Sequence, residues 1–222
     1  MAWKPRRLLR VLGAVACALP AIAQGAESSS EAWPELQVFI RLNETTQLLL
    51  NPAPTRSRET DDRTGVDYGI YLDHRRRGAP GSYRIGYVRS LSDPSGSSFD
   101  AAENRIVLDY THRWRPAQAV LLTDRTRLDL RNKEGTSSQR LRNRVQLEYE
   151  TRLAALPVVP YANLEIYYDT RYDAFARLRA EAGATLVFSE SADLTLYLAR
   201  QTDTRPQRSS VNALGTTLAL HF

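Results

Sequence analysis

Between Leu36 and Phe222 the side chains change character at every second residue, in segment after segment. A period of two marks strands, because successive side chains leave a strand on opposite faces. In the clearest case Leu141, Val145, Leu147 and Tyr149 share one face, while Arg140, Arg142, Arg144, Gln146, Glu148, Glu150 and Arg152 share the other. Ile106, Leu108, Tyr110 and Trp114 lie opposite Arg105, Asp109, Thr111 and Arg113 in the same way, and Leu178, Ala180, Ala182, Ala184, Leu186 and Phe188 lie opposite Arg177, Arg179, Glu181 and Thr185. The chain reads as all-β.

Alternation alone fits two architectures. In a β-sandwich the apolar face is the interior and the charged face meets water, whereas in a transmembrane barrel the apolar face meets lipid and the charged face lines a lumen. Length separates them: these segments run about 10 to 14 residues, against roughly 5 or 6 for an average globular strand. Connections also alternate. They are tight at Arg115-Pro116-Ala117 and Ser189-Glu190-Ser191, and longer over Pro52 to Arg63, Ser92 to Ala102, Asn132 to Ser138 and Thr204 to Ser209, as in outer-membrane barrels with short periplasmic turns and long external loops. The expected fold is a transmembrane antiparallel up-and-down β-barrel of about 10–12 strands with an arginine- and acid-lined interior.

Eleven segments can be marked, near 35–43, 46–57, 63–73, 82–91, 103–114, 118–131, 139–152, 158–169, 175–188, 192–203 and 210–222. Single-chain bacterial barrels have even strand numbers, and an eleventh strand would place the N-terminus on the outside. Parity therefore asks for a merger of the first two segments, where Leu36, Leu42, Leu48 and Leu50 hold one phase, or for a weak twelfth strand. The turn-like Asn43-Glu44-Thr45-Thr46 argues for a hairpin instead.

At the start, Lys4, Arg6, Arg7 and Arg10 precede an apolar stretch from Val11 to Leu19 and then Ala21-Ile22-Ala23, the small-x-small pattern that signal peptidase cuts. Residues 1–23 are expected to be a cleaved signal peptide, 24–33 a short N-terminal segment and 34–222 the barrel. Cleavage changes 30 Lys+Arg against 25 Asp+Glu into 26 against 25. A nearly neutral exported chain does not suit nucleic acid, which calls for a basic patch. The single cysteine, Cys17, departs with the leader, so no disulfide and no thiolate metal site is expected. No later stretch approaches the roughly 18 to 20 apolar residues of a membrane-spanning helix.

The charged face carries the distinctive chemistry. A candidate lumen ion-pair ladder comprises Arg105, Asp109, Arg113, Arg125, Arg127, Asp129, Arg131, Arg140, Arg142, Arg144, Glu148, Glu150, Glu165, Arg177, Arg179 and Glu181. With Arg41, Arg84, Arg152, Asp67, Asp73 and Asp169 added, the inward phases hold thirteen bases and nine acids. Arginine stays protonated and its planar fork takes carboxylates in pairs. Mutual neutralisation is the simplest role, and the excess of arginine would line a narrow path or pocket for small anions. Eight strands are filled by side chains and 16 to 18 leave a channel; between them, long Arg and Glu side chains would nearly fill the lumen. Asp124 falls on the outward phase, which asks for a bulge or a place near a turn.

Catalytic groups are sparse. His74 lies in His74-Arg75-Arg76-Arg77, His112 is outward beside Trp114, and His221 precedes the last residue. No Gly-x-Ser-x-Gly elbow and no paired-histidine metal pattern is found, and no cofactor is expected. Tyr83, Tyr87, Tyr110, Trp114, Tyr149, Tyr168 and Phe188 fall outward, as interfacial girdles require. If the 204–209 loop is external, Arg205 and Arg208 would reach lipopolysaccharide phosphates.

The final segment sets Leu214, Leu218, Leu220 and Phe222 against Gly215, Thr217, Ala219 and His221, and resembles the C-terminal signal of outer-membrane proteins that the barrel-assembly machinery reads. More widely, Trp33-Pro34-Glu35-Leu36, Leu42-Asn43-Glu44, Asp124 to Arg131, Arg140-Leu141-Arg142-Asn143-Arg144, Pro160-Tyr161 to Tyr172-Asp173 and Val211 to Gly215 carry a resemblance. From about Trp33 to Phe222 the chain resembles a bacterial outer-membrane family catalogued as domain of unknown function 2490. The resemblance implies an outer-membrane barrel with arginine/acid ladders and supplies no activity, substrate or site residue. The expectation is an integral barrel of the bacterial outer membrane, with membrane lipid, lipopolysaccharide and the assembly machinery as partners. It would act as a structural or binding barrel, or as a narrow anion-preferring pore. The alternatives are an outer-membrane enzyme with an active site at its rim and a soluble periplasmic β-sandwich.

Overall fold

Period-two patterning yields strands throughout. The computed structural model describes residues 27–57, 64–93 and 101–222, and every regular element among them is a strand. In chain order these are β1 (Glu27–Arg41), β2 (Thr46–Ser57), β3 (Thr64–His74), β4 (Gly81–Asp93), β5 (Ala101–Ala117), β6 (Val120–Lys133), β7 (Thr136–Tyr149), β8 (Thr151–Leu153), β9 (Leu156–Asp169), β10 (Ala174–Ser189), β11 (Ala192–Asp203) and β12 (Ser209–His221). The expected signal peptide lies outside the described residues.

Each strand pairs antiparallel with the next, except that β7 pairs with β9, and β12 pairs with β1 to close the barrel. The short β8 continues the line of β7 past Glu150, both lying along β9, so the barrel has eleven staves. These match the eleven segments legible in the sequence, whereas the parity argument fails. An even count is required only when every neighbouring pair is antiparallel. Here β1 and β12 run in the same direction, in a parallel seam from Glu27↔Ser209 to Phe39↔His221. Strand β1 therefore starts at the end of the barrel that bears the longer connections. It also absorbs most of the expected N-terminal segment: residues 27–33 are strand, and Trp33 lines the lumen.

Two further boundaries move. The stretch Asn132 to Ser138 is no long loop, because β6 and β7 pair up to Lys133↔Thr136. Only Glu134 and Gly135 remain, at φ 51° and 84°, the two left-handed residues of a type I′ hairpin turn. Likewise β2 runs through Pro52 to Ser57. Its ladder with β1 skips from Val38↔Leu50 to Ala32↔Arg56, the region of Pro34, Pro52 and Pro54, which have no N–H to donate. Asn51 Nδ2 partly compensates by donating to the Leu36 carbonyl at 3.1 Å.

The outer wall is apolar and exposed, with Ile70, Ile85, Leu141, Leu164, Leu198 and Leu214 among its large side chains. The buried set is rich in charge and includes Asp109, Arg127, Asp129, Arg131, Glu165, Asp169 and Glu181. A single closed sheet with apolar residues outside and charges inside is the outer-membrane type of barrel, and the β-sandwich alternative is excluded. Aromatic residues gather on the outer face: Tyr83 and Tyr110 lie 5.1 Å apart, and His112 and Trp114 4.1 Å apart, between ring centroids. Asp124 stays outward without a bulge, its carboxylate accepting from Asn143 Nδ2 at 2.6 Å.

Candidate functional site: the charged lumen

Strand register decides which charges meet. Arg144 on β7 pairs with Arg125 on one side and Glu165 on the other, which brings two arginine rows against one row of acids. Glu165, 1% exposed, accepts from Arg125 at 3.1 Å, Arg142 at 3.2 Å and Arg144 at 3.2 Å. Tyr167, 2% exposed, donates its hydroxyl to Glu165 at 2.8 Å. The guanidinium carbons of Arg142, Arg177, Arg179 and Arg140 lie 4.6, 5.4, 5.8 and 6.0 Å from its ring centroid, so the ring face serves the arginines as a cation–π surface.

The rest of the ladder is distributed around this centre. Arg127 donates to Asp109 at 2.9 Å, Arg105 to Asp67 at 2.5 Å and Arg84 to Asp73 through two nitrogens. Arg131 grips Glu103 in a fork and Asp169 with its third nitrogen, while Arg140 shares Asp169 at 2.8 Å. Arg177 pairs with Asp203, and Arg179 donates to Gln201 with its guanidinium 4.6 Å from the Trp33 ring centroid. Glu181 accepts from Asn163, Glu148 from Gln146, and Arg113 donates to Ser82. Asp129 is 1% exposed with neither oxygen hydrogen-bonded, and its cation is Arg142 at 3.7 Å.

Glu150 departs from the expected ladder. It sits between β7 and β8 at the short-turn rim, half-exposed and paired with Arg115; Arg152 beside it is exposed. Four interior acids were not anticipated: Glu31 and Glu35 on β1, Glu103 on β5 and Asp203 on β11. With these added, acids match arginines in number among the described inward positions, and the expected positive excess of the lumen as a whole disappears. The phase of each of the four could be read by counting in twos from Gln37, Arg105 or Gln201, but Glu31 falls before the expected start of the barrel. Tyr167 was legible the same way, two residues from Glu165.

The lumen is not filled. A cavity of about 650 Å³ near the short turns is lined by Arg41, Asp73, Arg113 and Glu148 among others. A second, of about 470 Å³, is lined by Trp33, Glu35, Asp129, Arg142 and Tyr197. Gln37, Arg84, Arg125 and Arg144 border both, forming a belt across the lumen that the Asp73 and Glu165 carboxylates hold in place. Such a belt offers fixed donors to an anion, with acids close enough to compete for them.

Each histidine has its own partner. His221 Nε2 lies 3.0 Å from Asp193 and its ring stacks on Phe39 at 4.8 Å; His74 meets the Thr46 hydroxyl and His112 that of Tyr110. Among the described residues no group of three or more His, Cys, Asp or Glu side chains is placed to hold a metal ion. In the turn between β9 and β10, the hydrogen bond to Asp169 raises the pKa of Arg171 above its ordinary value.

The sequence profile of a family described as "Protein of unknown function (DUF2490)" matches residues 32–212. Among solved structures, LpxR from Salmonella typhimurium aligns with a TM-score of 0.52 at 10% identity, over 78% of this chain and 83% of that chain. At this identity the likeness concerns the fold alone. No curated protein matches the sequence.

Proposed function

The chain belongs to the DUF2490 family, and from that premise we propose that it is an exported integral barrel of the outer membrane whose lumen is a closed binding interior rather than an open diffusion channel. The observation that carries this is the belt: Arg125 and Arg144 converge with Arg142 on Glu165 and stand between two polar cavities. An open pore needs a continuous aqueous path, and eleven staves lie between the filled and the channel-forming sizes. The exposed apolar wall supports membrane insertion, and Leu214, Leu218, Leu220 and Phe222 on the closing strand support a role in lipid contact and recognition by the assembly machinery.

The test is conductance in a planar bilayer, with folding verified by heat-modifiable gel mobility. Wild-type protein is expected to give no stable open-channel steps. The double variant Arg125→Ala/Arg144→Ala is expected to give discrete steps, because it removes two of the belt's three arginines while leaving Arg142 on Glu165. Discrete wild-type openings would overturn the closed reading, and anion-selective ones would establish the narrow pore.

A further inference from the structure

Although acids and arginines balance along the lumen, among the described residues they do not balance at its mouth. At the long-loop end a cavity of about 450 Å³ is lined by Arg131, Arg140, Arg171, Arg177, Arg205 and Arg208. Among the described residues three acids answer these six. Asp169 is wholly buried, and its Oδ2 alone accepts from Arg131, Arg140 and Arg171 at 2.8, 2.8 and 3.1 Å. Glu103 takes the fork of Arg131, and Asp203 that of Arg177. The other acid of the β9–β10 turn, Asp173, accepts from the outward Tyr168 hydroxyl. The described ion pairs include none for Arg205 or Arg208, and Arg205 donates to the Thr204 carbonyl.

We propose that this mouth is a binding site for a phosphate-bearing anion. The acids hold the deeper guanidinium groups from behind, and each guanidinium has five N–H donors, so Arg140, Arg171 and Arg177 keep unused donors on the cavity wall. Planar forks suit the oxygens of a tetrahedral phosphate, which accepts several charge-assisted hydrogen bonds at once. The arginines grade from buried at Arg131 to exposed at Arg205 and Arg208. A ligand entering from the loop end would thus meet solvent-exposed cations first and carboxylate-held ones last. The volume falls within the range of small-ligand pockets and suits a phosphorylated sugar-sized group. The same chemistry is presented by the phosphate of a membrane glycolipid and by a free phosphate. The proposal does not require the lumen to be closed.

The experiment is calorimetric titration of the refolded full chain in neutral detergent, so its outcome is independent of conductance. One arm uses inorganic pyrophosphate; the other compares lipid A in mixed micelles with dephosphorylated lipid A. Saturable binding in at least one arm is expected. Arg205→Ala/Arg208→Ala should weaken it about tenfold or more, the equivalent of one or two lost charge-assisted hydrogen bonds. Arg75→Ala/Arg76→Ala, at the opposite rim, should leave it unchanged. Selective binding of phosphorylated lipid A would identify a lipid source; binding of pyrophosphate alone would identify a free one. The proposal is overturned by absence of binding in both arms, by equal binding of dephosphorylated lipid A, or by affinity unaltered in the mouth variant.

Discussion

Two walls of the same barrel solve the problem of a filled interior in opposite ways. On β6, β7, β9 and β10 the inward positions carry long charged side chains that reach across strands, with Glu165 and Asp169 each shared among three arginines. Elsewhere around the barrel, on β3, β4, β11 and β12, glycines leave space over which tyrosines lie. A Cβ on Gly86 would overlap the Tyr71 ring, and one on Gly215 the Tyr197 ring. The first wall is held by pairing and the second by fit. The difference matters because charges misplaced by a substitution are left uncompensated, whereas a misfit of shape can be relieved by trimming its neighbour.

The largest effect is expected on the charged wall. Glu165→Gln leaves Arg125, Arg142 and Arg144 without the carboxylate they share, and should lower stability by about 3 to 5 kcal/mol. Urea unfolding of the refolded protein in detergent, followed by tryptophan fluorescence, reads this as a lower midpoint. A midpoint within error of wild type would mean that the three arginines are screened by lumen water, and that the wall does not depend on pairing.

An intermediate effect is expected on the other wall. Gly215→Ala places a methyl group against Tyr197, an overpacking that typically costs about 1 to 3 kcal/mol. Adding Tyr197→Ala should recover part of the loss, because the clash is with the ring itself. If the second substitution deepens the defect instead, the glycine is required for a backbone reason and the contrast between the walls loses one side.

How far each wall could be read in advance follows from the same contrast. Alternation gives the face of a residue directly, so nearly the whole charged set and the apolar outer wall were legible, as were the eleven strands. Closure was not, since a parallel seam leaves no mark on either strand, and the evenness rule pointed away from it. Nor were the partners. Which carboxylate an arginine meets depends on register between strands, and Arg131 reaches both Glu103 on β5 and Asp169 on β9. The tyrosine-and-glycine wall was harder still, because an isolated glycine in a strand looks like a weak position until its neighbour's ring is placed over it. Gly215 and Tyr197 are adjacent only through the β11–β12 register.

The smallest effect belongs to the rim and sets the boundary of the charged wall. Arg115 and Glu150 lie 2.6 Å apart, but both side chains are about half exposed, at 51% and 47%. Water solvates either partner when the other is removed, and holding two long side chains together carries an entropic cost, so exposed pairs contribute little. Arg115→Ala is therefore expected to leave the urea midpoint unchanged within error, although its N···O distance is shorter than that of any arginine on Glu165. A loss approaching that of Glu165→Gln would mean that the rim pair fixes the break between β7 and β8, and that distance rather than burial ranks these ion pairs. An unchanged midpoint locates the dependence on pairing inside the lumen, where removing one charge strands its partner away from bulk water.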